Sequence, residues 1–487
     1  MKSVTSLPTI IQGGMGVAVS NWRLARAVSV RGQLGVVSGT ALDTVLARRL
    51  QDGDPGGHMR RAMARFPIPD VAAAALERFF LPDGRPSGQP YKLLPMYKQH
   101  VRRERQQLTM LANFVEVALA KEGHDGVVGL NLLTKVQMPT LASLYGAMLA
   151  GVDYILMGAG IPREIPGALD ALSEHHAASL RFDVEGLPGT EALHLTLDPG
   201  ELGVDTAAPL KRPAFLPIIS ASSLATTLAR KANGSVEGFI VEGPTAGGHN
   251  APPRGDPRFN DRGEPLYGDR DVVDLGKLRD LGLPFWLAGG SGSPARLADA
   301  LAAGATGIQV GTLFAFCEES GFADHLKRDV LDHAVRGDIE VITDPRASPT
   351  GYPFKVVSWA GDETSTRTRE RKCDLGYLRI AYKRDDGRVD YRCAAEPVAD
   401  YVRKGGVESD TIGRRCLCNA LTANIGQAQP REGADDEPPL LTSGDDLASI
   451  TTFLGDRTEY AADDVIDYLL VIPRPTSIGN QVEGALC

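Results

Sequence analysis

Short apolar runs of β-branched character alternate along this chain with Ala- and Leu-rich helical stretches, the pattern of successive parallel βα units. Eight runs read as strands: Thr9–Gln12, Leu34–Ser38, Val127–Asn131, Asp153–Met157, Leu216–Ser220, Phe239–Glu242, Phe285–Ala288 and Gly307–Val310. Each is followed by a turn rich in Gly, Ser or Pro, where barrel enzymes place their working loops. The pattern predicts an α/β chain, a (β/α)8 TIM barrel with a helical insertion and a C-terminal extension. Residues Asn21–Val28 form the expected helix after the first strand, with Ser20 as its N-cap. Ala295–Ala302 forms the one after the seventh, opened by Pro294.

Two stretches exceed a minimal barrel. Residues of about 45–120 read as a mostly helical insertion, best defined from Gln106 to Glu122, and about 178–212 reads as irregular. The barrel is expected over 1–344. Residues 345–487 are expected to be an extension packed on it, with a surface loop at Gln429–Pro439 and a final helix at Ala461–Leu470.

Composition narrows the class. Hydrophobic content of 43%, charged content of 23% and a net charge of −9 suit a soluble globular protein and lack the basic face that nucleic acid requires. The basic run His100–Arg105 reads as a solvated helix face. The N-terminal residues show no apolar signal core, and no stretch is long enough to span a membrane, so a cytoplasmic location is the default expectation. Six cysteines over 487 residues do not suggest a disulfide framework. A homodimer is the base-rate expectation for the oligomeric state.

The most informative passage runs from Pro284 to Ser293, continues through a helix, and ends in Ala305–Thr312. Each half is an apolar strand that ends in glycine and opens a helix. Without a Cβ, the backbone N–H groups of Gly289, Gly290, Gly311 and Thr312 can approach a phosphate closely. The helix dipole adds about 0.3–1 kcal/mol, and each charge-assisted hydrogen bond about 1.5–3 kcal/mol. The amides therefore outweigh the dipole, and no basic side chain stands in either turn.

A second site follows strand Phe239–Glu242. The loop Gly243–Asn250 presents His249 at the same end of the barrel, flanked by Gly247 and Gly248. An imidazole with an ordinary pKa of about 6.5 can take or give a proton near neutrality. Glu242 closes the strand, either as an acceptor for a bound polyol chain or as a carboxylate orienting backbone amides.

The ordered set Ile10-Ile11-Gln12-Gly13-Gly14-Met15, Gly129-Leu130-Asn131-Leu132, Ala246-Gly247-Gly248-His249, Ala288-Gly289-Gly290 and Gln309-Val310-Gly311-Thr312 resembles the nitronate monooxygenase family over roughly residues 5–320. That resemblance implies an FMN-containing barrel. It places Gly13, Gly14 and Met15, preceded by Gln12, along the flavin ring, and Asn131 and Glu242 beside the ring or its ribityl chain. It gives Gly247 and Gly248 the support of the flavin, and Gly289, Gly290, Gly311 and Thr312 the phosphate, with Gln309 nearby. His249 matches the family's active-site histidine. The insertion and the long C-terminal part resemble a longer branch, similar to the FMN-dependent enoyl reductase of polyunsaturated fatty acid synthases. The histidine is followed by Asn250-Ala251-Pro252-Pro253-Arg254, a departure from short members that bears on the substrate more than on the cofactor.

Three functions follow from the resemblance. The first is oxidation of alkyl nitronates by FMN and dioxygen. The alternative is NAD(P)H-dependent reduction of an enoyl thioester, with an acyl carrier protein as partner. The third is a flavin-binding docking component of a biosynthetic complex. Separately, Cys373, Cys393, Cys416 and Cys418 cluster in one segment. Four thiolates could bind zinc or an iron–sulfur cluster, but the paired CxxC spacing is missing, and four semi-buried small apolar residues are the plainer reading. Cys317 and Cys487 suggest no partner.

Overall fold

Apolar runs become parallel strands when helices cover their outer faces, and here eight do so: β1 Ile10–Gln12, β2 Gly35–Ser38, β3 Val128–Leu133, β4 Tyr154–Gly158, β5 Ala214–Ile219, β6 Phe239–Glu242, β7 Phe285–Ala288 and β8 Gly307–Val310. They come from a computed structural model that describes residues 7–471 apart from 189, 360, 363–369, 432, 434 and 435. Cys487, part of the N-terminal segment and three positions of the 429–439 loop lie outside the described residues.

Neighbouring strands are parallel in the order β1-β8-β7-β6-β5-β4-β3-β2. The ring closes at β1, which pairs with β8 in register Ile10↔Ile308 and meets β2 through the Ile11↔Leu34 bridge. The Gln12 amide donates to the Leu34 carbonyl at 2.9 Å, and the Leu34 amide to the Ile10 carbonyl at 3.1 Å. The fold is thus the expected TIM barrel. Its interior is an apolar plug of Ile11, Leu34, Val36, Leu156, Leu216, Ile240, Trp286 and Ala288. Trp286 is fully buried, and its indole N–H donates to the Pro8 carbonyl at 2.8 Å, which satisfies the ring's polar atom at the barrel floor.

Helix Trp22–Val30 starts one residue later than expected. Asn21, not Ser20, is its N-cap and accepts from the Arg23 and Leu24 amides at 2.8 and 3.0 Å. Ser20 is drawn away because its hydroxyl holds the β1 loop, donating to the Gly13 carbonyl at 2.8 Å and accepting from the Met15 amide at 2.9 Å. Helix Pro294–Ala302 is capped by Ser293, which accepts from the Arg296 amide at 3.2 Å.

After β2 the chain forms helices Leu42–Gln51, His58–Met63, Pro69–Phe79 and Arg103–Ala120. The stretch read as irregular contains a hairpin, Ala178–Phe182 against Leu193–Leu197. Val184–Glu185 then pairs in parallel with Ile380–Lys383 of the C-terminal region. Pairing of that kind with a strand two hundred positions away leaves no local signal. Beyond β8, β9 Ile339–Asp344 and β10 Phe354–Trp359 form an antiparallel pair. Helix Ala462–Leu470 packs on helix Trp22–Val30, where Arg31 bridges to Asp463 at 3.3 Å and to Asp467 at 2.5 Å. Among the described residues no helix is long and apolar enough to cross a membrane.

The basic run His100–Arg105 is only partly a solvated face. Arg105 turns inward, lies over the Tyr97 ring at 4.3 Å and pairs with buried Asp43 at 2.9 Å. Asp43 also accepts from the hydroxyls of Tyr97 and Tyr377 and from that of Thr109 at 3.2 Å. One carboxylate therefore joins the insertion to the C-terminal region through Tyr377. Breaking a buried ion pair from one side leaves an uncompensated charge, at a cost of about 3–5 kcal/mol. Asp43→Ala is expected to lower unfolding stability by about that amount in urea titrations. A loss below about 1 kcal/mol, the range of an exposed pair, would contradict the role given to this carboxylate.

Candidate active site

Because every barrel strand runs the same way, the loops after β1, β3, β6, β7 and β8 share one rim. They surround a cavity of about 230 Å³. Gly13, Gly14 and Met15 line it from the β1 loop, Asn131 from β3, and Glu242, Gly247, Gly248 and His249 from β6 and its loop. Gly289 and Gly290 enter from β7, and Gln309, Gly311 and Thr312 from β8. Gln12 does not reach the cavity. It is fully buried, donates to the Gly13 carbonyl and the Ser20 hydroxyl, and accepts from the Val36 amide at 3.0 Å, so it holds the β1 loop from beneath.

The two glycine turns are built for close approach. Gly289 has φ +89°, and a Cβ there would stand 3.0 Å from the Ala246 nitrogen. A Cβ on Gly247 would lie 2.8 Å from the Ser443 carbonyl carbon, so the histidine loop and the C-terminal region touch backbone to backbone. At this end the Thr312 hydroxyl donates to the carboxylate of Asp446, and the Gly444 amide donates to Thr312 Oγ1 at 3.2 Å. Burial raises the Asp446 carboxyl above its ordinary range.

Three buried acceptors on the wall have no hydrogen-bond partner within the protein: Asn131 Oδ1, Gln309 Oε1 and Asn424 Oδ1. Asn131 uses its amide nitrogen to hold the Gly14 carbonyl at 3.0 Å, which leaves the oxygen free. An unmet buried acceptor costs about 1–3 kcal/mol. A ligand that carries N–H or O–H donors on a flat apolar body could satisfy Asn131 and Gln309.

His249 is fixed by residues beyond the barrel. Its backbone bridges Phe354 of β10, and its ring meets the Phe354 ring edge-on at 4.8 Å. The Lys355 amide donates to the Gly248 carbonyl at 2.9 Å, and the Gly248 amide to the Thr442 hydroxyl at 2.8 Å. His249 Nε2 and Ser348 Oγ share a hydrogen bond of 2.7 Å, continued to Thr350 Oγ1 at 2.8 Å. Burial lowers the imidazole pKa to about 4, helped by the positive charge of Lys135. Burial also raises the Glu242 carboxyl to about 8. Near neutrality both groups are therefore uncharged.

Sequence reasoning missed Ser348, Thr442, Ser443, Gly444 and Asp446, all from the region after the barrel. The one signal was Leu440-Leu441-Thr442-Ser443-Gly444-Asp445-Asp446, an apolar pair running into a Ser/Gly/Asp turn, which echoes the two phosphate-type turns of the barrel.

Fold and site together define a parallel β/α barrel whose glycine-lined cavity sits at the C-terminal ends of its strands. The nitronate monooxygenase family model matches residues 201–348, the segment that carries β5 to β8 and the histidine loop. A nitronate monooxygenase of Paraburkholderia phytofirmans is 32% identical over 162 residues, which are 33% of this chain and 40% of that protein. The chain thus spans less than half the length of the curated relative it matches. The resemblance read from the motifs is borne out over this segment. Solved structures of similar outline include FabK from Thermotoga maritima, at 15% identity and TM-score 0.46, over 95% of this chain and 91% of that one. A nitroalkane oxidase from Streptomyces ansochromogenes has 15% identity and TM-score 0.44, over 95% and 94%.

The two shifts give a pH dependence with opposite signs. An unfolded histidine takes its proton near 6.5, whereas folded His249 stays neutral to about 4, so stability falls as pH drops through that window. Folded Glu242 keeps its proton to about 8, so its contribution is present at acid pH and is lost as pH rises from the unfolded carboxyl value toward 8. Isotope-edited NMR of the His249 ring is expected to show the neutral form throughout the mildly acidic range, and Lys135→Met to raise its midpoint. A wild-type midpoint near the ordinary 6.5 would refute the enclosure argument.

Proposed function

We propose that this chain is an FMN-dependent oxidoreductase that oxidises alkyl nitronates with dioxygen. The observation that carries the reading is the placement of His249 and Glu242 on one enclosed rim cavity beside the glycine turns, where burial pushes the imidazole toward its neutral form and the carboxyl toward its protonated form and Lys135 acts on the histidine. That field favours an anionic substrate such as a nitronate, and a neutral imidazole can take the α-proton of the parent nitroalkane.

The donor set fits FMN. The amides of the Gly289–Gly290 and Gly311–Thr312 turns would hold the phosphate. Asn131 Oδ1 and Gln309 Oε1 would accept from the ring's N–H, and Gly13, Gly14 and Met15 would lie along its face. When bound, the flavin supplies a two-electron acceptor that dioxygen can reoxidise. The residues of this chain bind and orient the substrate, keep water from it, and place the proton on His249, whose ring angle is set by Ser348 and Phe354.

One observation favours a second reading. A smaller cavity of about 90 Å³ adjoins the first and shares Glu242 and His249. A protonated Glu242 between the two could donate to the α-carbon of an enoyl thioester, with NAD(P)H as reductant and an acyl carrier protein delivering the acyl chain.

Anaerobic spectroscopy separates the two. A nitronate is expected to bleach the flavin without any nicotinamide. Rapid reduction by NADH or NADPH, with no response to nitronate, would favour enoyl reduction instead. His249→Ala is expected to cut kcat/KM for a neutral nitroalkane by about 10²–10⁴-fold while sparing the preformed nitronate more, because only the former needs a base. Equal losses for both substrates would remove His249 from the proton-transfer role.

A further inference from the structure

The smaller cavity beside the rim, about 90 Å³, has room for a short chain of atoms, since one water needs only about 10–15 Å³. His249 and Glu242 stand on the wall that it shares with the larger cavity. A substrate whose reacting carbon lies beside His249 therefore has this cavity as the place for its next few atoms. Part of its wall is the chain directly after the histidine, Asn250-Ala251-Pro252, followed by Arg254.

Most polar groups on that wall are committed. The Arg254 guanidinium donates to the Ser220 carbonyl at 2.7 Å and to the Arg270 carbonyl. The Tyr267 hydroxyl donates to the Ala251 carbonyl at 3.1 Å, and Asp271 accepts from the Arg254 and Gly268 amides, each at 2.9 Å. Ile218, Leu224 and Pro244 add apolar surface. Asn250 differs from all of these. It is 2% exposed, and its side-chain Nδ2 donates to the Ala246 carbonyl at 3.0 Å, which fixes the orientation of the amide. Its Oδ1 is buried and has no partner within the protein.

An unmet carbonyl oxygen selects a donor. A carboxylate or an ether offers only acceptors and cannot pair with it. A carboxylate would also meet Asp271, while the Arg254 guanidinium is already turned to two carbonyls. An amide N–H would pair with Oδ1, but it brings a second carbonyl that the committed donors of Arg254 and Tyr267 cannot serve. A hydroxyl supplies the donor with the least added polarity, and the carbons that carry it can pack on Ile218 and Leu224.

We propose that Asn250 is a specificity-determining residue and that this cavity takes a short nitroalkane chain ending in a hydroxyl, which donates to Asn250 Oδ1. The assignment rests on the reading that nitro compounds react beside His249, and its test separates the two.

Four probes of one chain length are used with the flavin-loaded protein: a terminal nitroalkane, its ω-alcohol, the methyl ether of that alcohol and the ω-carboxylate. Dissociation constants are read by ligand-observed NMR. The alcohol is expected to bind at least about tenfold more tightly than each of the others. Asn250→Leu, of similar volume but without an acceptor, is expected to bring alcohol and ether within about twofold of each other. A residue that only held the loop would weaken all four alike and leave their ratios unchanged. The wild-type comparison does not rely on the variant folding. Alcohol and ether of equal affinity in the wild type, a carboxylate that binds most tightly, or a preference that survives Asn250→Leu would each overturn the assignment. Anaerobic flavin bleaching by the corresponding nitronates is recorded alongside. Bleaching without the alcohol preference removes the subsite alone, whereas the preference without bleaching removes the nitronate reaction and leaves the hydroxyl site in place.

Discussion

Parallel strands cannot be joined by tight turns, so each must be followed by a crossover that returns the chain to the opposite end of the sheet. In this chain that constraint, applied over the seven connections between eight strands and closed through β1 between β8 and β2, gathers the outgoing loops of all the strands on one rim. The plug around Trp286 fills the barrel beneath them, which leaves the rim as the place where a cavity can open. Glycine turns after β7 and β8 then face the histidine loop after β6 without any long-range pairing to arrange it. The site is a consequence of strand direction first and of side-chain choice second.

Closure of that site comes from elsewhere. β10 pairs with the histidine loop through backbone hydrogen bonds, the Thr442 hydroxyl accepts from the Gly248 amide, and Lys355 reaches Asp445 at 2.5 Å. These contacts remove His249 from water. Desolvation is the first cause of its lowered pKa, and Lys135 adds to it. On the bare barrel the same loop would stand in solvent and the imidazole would titrate near its ordinary value. The region after the barrel therefore sets the chemistry of a residue that it does not supply.

The strands were legible because their apolar runs are short, bounded by glycine or proline, and separated by helical periodicity. The eight expected runs overlap all eight observed strands, and β6, β7 and β8 agree to the residue. Motifs carried by those strand ends were legible for the same reason, since each glycine turn lies in one local stretch. What stayed hidden depends on partners distant in sequence. Ser20 reads as an N-cap until Gly13 and Met15 compete for its hydroxyl. Arg105 reads as solvated until Asp43 is found beside it. Gln12 reads as a cavity residue, but strand alternation turns it under the loop. Thr442, Ser443, Gly444 and Asp446 have no periodic signature, because only the closed fold brings them to the rim.

The charge balance of the rim links these observations. Glu242 and Asp446 are pushed toward their protonated forms and His249 toward its neutral form, all with burial as the first cause. A cavity that suppresses the charges of Glu242 and His249 leaves more of the local potential to Lys135 and to the peptide dipoles of the glycine turns. Those sources are all positive where they face the cavity, and a low-dielectric wall strengthens their reach. An anion entering beside His249 therefore meets less carboxylate repulsion than the presence of Glu242 on the wall would suggest. The phosphate-type turns and the histidine pocket are in this sense one electrostatic design: burial neutralises the side chains, and fixed dipoles with one lysine select what binds.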